Sequence, residues 1–77
     1  MDIKQRAARA RELLNNPAFI DMMTILREEQ VKKFLSSAPN DADAREQAHS
    51  IVNALQTIED YLKSHITDEK MFDKKRN

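Results

Sequence analysis

Residues 44–66 read AREQAHSIVNALQTIEDYLKSHI, and this stretch decides the fold. Ala44, Ala48, Ile51, Leu55, Ile58, Leu62 and His65 alternate in spacings of four and three, which gathers them on one face of an α-helix. Ile66 continues the stripe beside His65, and Val52 and Tyr61 widen it. A long amphipathic helix is predicted over about 41–66. Its stripe opens on alanines and grows bulkier toward the C-terminus.

Upstream of it, residues 36–40 form a short connection around Pro39, which disfavours helix at Ala38. Asn40 and Asp41 compete as the cap of the long helix, and Asp43 suits its positive N-terminal end. A connection this short makes the preceding helix an antiparallel neighbour. That helix is predicted from Pro17 to about Ser36. Phe19, Ile20, Met23, Leu26, Val31 and Phe34 share one broad face, with Leu35 at its edge. In the antiparallel pair Phe34 and Leu35 then meet the alanine end of the other stripe, large against small. Met22 and Ile25 fall away from this face, next to Ala18. This second apolar strip must be covered by the N-terminal segment, covered by another chain, or left wet.

Asn15-Asn16-Pro17 breaks the chain again. Asparagine closes and caps helices, and proline suits the first helical position, so Asn16 is read as a cap with a bend before it. One kinked continuous helix is the competing reading. A short helix over about 2–14 precedes the break, with Ile3, Ala7, Ala10 and Leu14 on its apolar face and Lys4, Arg6, Arg9 and Arg11 around the rest. Beyond residue 66 the pattern weakens. Met71 and Phe72 offer a last apolar contact, and residues 67–77 are expected to be a frayed polar tail.

Composition narrows the function classes. The 77 residues allow a single domain, 1–77, with a thin stability margin. There is no cysteine, so disulfides, thiolate metal sites and cysteine nucleophiles are excluded. There is no glycine either, which removes phosphate-cradling loops and dinucleotide fingerprints. Thirteen basic residues balance thirteen acidic ones, so no overall field steers the chain to nucleic acid. The longest apolar run, residues 18–20, is far too short for a membrane span or a signal peptide, and the cytoplasm is the expected compartment.

Three constellations invite chemistry. Glu46 and His49 stand three apart, as in di-iron bundles, yet Glu46 lies off the apolar stripe and Glu28 and Glu29 are placed toward water. His65, near Asp68 and Glu69, suits a packing role or a pH-responsive interface contact better than a catalytic one. Lys4, Arg6, Arg9 and Arg11 are candidate phosphate contacts, as are Lys74, Lys75 and Arg76 in the tail. The interleaved aromatics of single-strand binders are missing, since one tyrosine and three phenylalanines are the whole set. No catalytic, cofactor-binding or metal-ligating residue is expected.

The runs Asn15-Asn-Pro-Ala-Phe19, Leu26-Arg-Glu-Glu29 and Asp43-Ala-Arg-Glu-Gln-Ala-His49 give the chain a resemblance to small helical-hairpin proteins of bacteriophages and prophages. It covers residues 12 to about 70, and the basic N-terminal extension lies outside it. The shared motifs are helix punctuation and surface charge, so the resemblance supplies no functional residues. It implies a structural or assembly role among virion-assembly proteins, in the host cytoplasm or the virion.

The expectation is therefore an all-α antiparallel hairpin of two long helices preceded by a short one, completing a bundle by self-association. The function expected is non-enzymatic protein–protein interaction or virion assembly, with a homodimer favoured and another phage or host protein as a further partner. Ala18, Phe19, Met22, Met23, Ile25 and Leu26 are the candidate interface. Two alternatives stand beside it: a nucleic-acid-associated packaging or transcription accessory acting through the basic first helix, and a small inhibitor of a host enzyme.

Overall fold

A computed structural model describes residues 1–76; Asn77, the last residue of the expected tail, lies outside them. Three helices follow in order: α1 (Ile3–Leu14), α2 (Pro17–Ser36) and α3 (Ala42–Arg76). Each boundary has a local cause. At the start of α1 the Asp2 carboxylate accepts from the Gln5 backbone N–H at 2.8 Å, and the Gln5 side chain accepts from the Asp2 N–H at 3.0 Å. This reciprocal capping box satisfies two amides that the first helical turn leaves without partners. Between α1 and α2, Asn15 closes the first helix through the Arg11 carbonyl. Asn16 then caps the second, its side-chain oxygen accepting from Ala18 and Phe19, with Pro17 in the first turn. The break is a true one, and the continuous kinked helix is excluded.

At the tip the capping contest is settled for Asp41, whose carboxylate accepts from the Ala44 N–H at 3.1 Å. The Arg45 guanidinium reaches back and donates to the carbonyls of Ala38 and Pro39, at 2.7 and 3.3 Å. No described residue has a positive φ, which is how a chain without glycine makes this turn.

The 12 residues of α1 and the 20 of α2 lie nearly end to end along the 35 of α3. Both pack on α3 and barely touch one another. The molecule is thus one long hairpin, α3 forming one arm and α1 with α2 the other. It measures 57 × 23 × 17 Å. Its radius of gyration is 16.8 Å, against about 11.5 Å for a compact chain of this length.

One expectation needs correction, and one of the alternatives left open is closed. The segment from residue 67 is not a frayed tail, because α3 continues to Arg76. The charges that made it look disordered are held by α1: Arg11 pairs with Glu69, and Lys4 pairs with Asp73 at 3.3 Å. Nor does α1 lie over Met22 and Ile25. It sits against the C-terminal half of α3, where its alanines allow close approach, and the strip on α2 stays uncovered by the chain.

The core between the arms is thin. Its buried apolar residues are Ala7, Ala10, Met23, Ala48 and Leu55, three of them alanines, with Gln30 buried beside Ala48. Arg27 and Glu59 add an ion pair at 2.9 Å in the same seam. Because α1 packs almost wholly on the C-terminal half of α3 and two of its ion pairs are to Glu69 and Asp73, removing residues 67–77 is expected to unfold α1 as well. Circular dichroism should show a helical loss larger than the deleted stretch accounts for; a loss confined to that stretch would mean that α1 is held by something else.

Candidate interaction face

Two helices side by side enclose nothing, so every residue beside their seam is also at the surface. Gln30 and Ala48 show how narrow the seam is, since they form the floor of a hollow on each side of the hairpin. On one side they lie with Lys33, Gln47 and Ile51, on the other with Val31, Leu35 and Val52.

The seam positions of α3 are Ala48, Val52, Leu55, Glu59, Leu62, Ile66, Glu69 and Asp73, all buried or half-buried. The apolar stripe read from the sequence supplies Ala48, Val52, Leu55, Leu62 and Ile66, so it coincides with these eight positions only in part. Three of them are carboxylates, made acceptable inside by Arg27, Arg11 and Lys4 opposite. The seam therefore runs one column round from the hydrophobic stripe. Ile51, Ile58 and His65 belong to the column that it leaves at the edge, and Ile58 is 45% exposed.

The candidate residues on α2 divide in the same way. Met23 is buried in the seam, which removes it from the exposed surface, and Phe19 is half-buried beside it. Ala18, Met22, Ile25 and Leu26 are exposed, Met22 at 61%. Leu26 stands one heptad before Lys33, and so on the side of α2 that borders Ile51. Met22 follows four residues earlier on that side, while Ile25 points away from α3. Toward the open end Leu13, Tyr61 and His65 share a recess with Arg6 and Arg9, and the Tyr61 and His65 rings meet edge to face at 4.6 Å. Leu13, Met22, Leu26, Ile51, Ile58 and Tyr61 thus line one long side of the hairpin. Leu13 and Tyr61 carried no sign of this in the sequence, because their role depends on where α1 docks.

Apart from Ile20, which lies in the same column of α2 as Val31 and is 46% exposed, the other side is apolar at the tip alone. Val31, Phe34, Leu35, His49 and Val52 surround a hollow there, and Leu35 is 76% exposed. Further along, Arg27 and Glu59 take over.

The basic residues of α1 are largely engaged. Lys4 and Arg11 pair with α3, and Arg9 pairs with Glu12 within the same helix. Of the four candidate phosphate contacts, Arg6 keeps no ion-pair partner among the described residues. Glu46 and His49 lie in a shallow hollow with Phe34, Ala42 and Arg45. Among the described residues no three His, Asp or Glu side chains gather as they would round a metal ion. No described helix is long and apolar enough to cross a membrane.

No protein-family model, curated protein or solved structure matches this chain.

The ion pairs separate the basic residues by role. Arg11→Ala leaves Glu69, only 15% exposed, without its partner, and should lower stability by about 1 kcal/mol in urea unfolding. Arg6→Ala should stay within about 0.5 kcal/mol of the parent protein. Equal losses for the two would show that the inter-arm pair contributes nothing.

Proposed function

We propose that this protein is a non-enzymatic protein–protein interaction hairpin of the bacteriophage assembly type, acting by self-association into a four-helix bundle. The observation that carries the reading is surface. A folded monomer of 9.0 kDa exposes about 4,900 Å². This chain exposes 6,007 Å², about 1,100 Å² more. Much of it is side-chain hydrocarbon, with Met22, Ile25, Leu26, Val31, Phe34, Leu35, Ile58 and Tyr61 all exposed. A stable interface takes about 800 Å² from each partner, so one contact with a second chain accounts for the surplus. Two hairpins laid face to face supply the second layer that each lacks.

The phage assignment rests on the resemblance carried by residues 12 to about 70, and it makes the hairpin a component or helper of virion assembly. The self-association is supported by the thin alanine-rich seam. Such a core leaves a lone hairpin marginal, and pairing is the staple open to a chain without cysteine.

Light scattering behind size exclusion, over a concentration series at low and moderate salt, tests the reading directly. A discrete dimer that tolerates salt is expected, and a monomer at every concentration would overturn it. Met22→Asp should shift the equilibrium toward monomer with little loss of helicity, since Met22 makes few contacts inside its own chain. Outright unfolding of that variant, with no oligomer in the parent, would place Met22 in an intramolecular core.

A further inference from the structure

We propose that the second copy docks on one particular side of the hairpin, the side formed by Leu13 of α1, Met22 and Leu26 of α2, and Ile51, Ile58 and Tyr61 of α3. The proposal rests on the self-association reading and names its surface.

Three observations favour this side over the other. The first is the rotation of α3. Its hydrophobic stripe is offset from its intramolecular seam, and the offset carries Ile51 and Ile58 toward this side. A helix whose apolar stripe extends past its own partner is shaped for two partners. The second is extent. Ile51 stands toward the tip, Leu26 and Ile58 near mid-length beside the ion pair of Arg27 and Glu59, and Met22, Leu13 and Tyr61 toward the open end. The opposite side offers a cluster of apolar residues at the tip, then the ion pair of Arg27 and Glu59 and Ile20 alone beyond it, so its apolar surface is interrupted along its length.

The third observation is charge. Around the apolar strip stand Arg6, Arg9 and Lys33, and by helical position Glu29, Asp43 and Asp68. Three positive and three negative groups border one face, and all but Arg9 lack an ion-pair partner among the described residues. Nucleic acid would need a one-signed surface. A two-fold contact needs a surface that complements itself, and a balanced rim round an apolar centre meets that need. The occupant is accordingly a second copy of this chain.

The test measures the dimer dissociation constant by sedimentation for three exposed positions. Met22→Asp and Ile58→Asp should each raise it by at least about 30-fold, the size of a hot-spot loss. Leu35→Asp, on the opposite side, should change it by less than about 3-fold. The reverse pattern, with Leu35→Asp alone breaking the dimer, would overturn the choice of side and leave self-association standing. A parent protein that is monomeric throughout would remove both. Charge gives an independent check. The Arg6→Glu, Arg9→Glu variant and the Glu29→Lys, Asp68→Lys variant should each dimerise poorly alone and recover when mixed. Full dimerisation of each alone would show that the rim takes no part and would sink the charge argument.

Discussion

Everything in this structure follows from the close approach of two helical arms over alanine. Ala7, Ala10 and Ala48 let the backbones come together, and Met23 and Leu55 fill what little volume remains. Alanine favours helix strongly but buries little hydrocarbon, so the seam orders the hairpin more than it stabilises it. Long-range specificity comes from the charges instead. Arg27 with Glu59, Arg11 with Glu69 and Lys4 with Asp73 fix the register of the arms at three heights. Pairs so exposed add modest stability, yet a slipped register would strand carboxylates in the seam.

This division of labour explains which parts of the fold were legible in the sequence. The helices were, since Asn16 with Pro17 and Pro39 with Asn40 or Asp41 punctuate the chain and the spacing of Leu55 and Leu62 is helical, although Pro17 also admitted a kinked continuous helix as a competing reading. The antiparallel pairing was legible too, from the shortness of the connection. The end of α3 was not, because Glu69 and Asp73 resemble a solvated tail until Lys4 and Arg11 are placed opposite. Their contribution is relational, and no pattern within the segment records it. The position of α1 escaped for a similar reason: an apolar face of alanines states that something is near without stating what.

The interaction face was legible in part. Met22 was singled out, with Ile25 and Ala18, because it falls off the main face of α2, whereas Leu26 was read on that face. Phe19 and Met23 were grouped with them by proximity in sequence, but they face α3. Ile58 was taken for core, since an apolar residue on a helical stripe is normally buried by the helix beside it. Here seam positions are occupied by glutamate and aspartate, which displaces part of the hydrophobic stripe to the edge. Hydropathy tells how apolar a position is, and the charged partners decide which way the helix turns.

The two-residue break at Asn15 and Asn16 also sets an order of events in time. The tip can close at once, because Arg45 grips a turn only a few residues away and α2 meets α3 across a short loop. The contacts of α1 join residues nearly a full chain length apart, as in Arg11 with Glu69, so they carry the largest loop-closure cost. Since α1 is capped at both ends and barely touches α2, it forms and releases as its own unit. Loop-closure cost alone therefore favours zipping from the turn outward, with the open end expected to be the last region protected and the first to exchange.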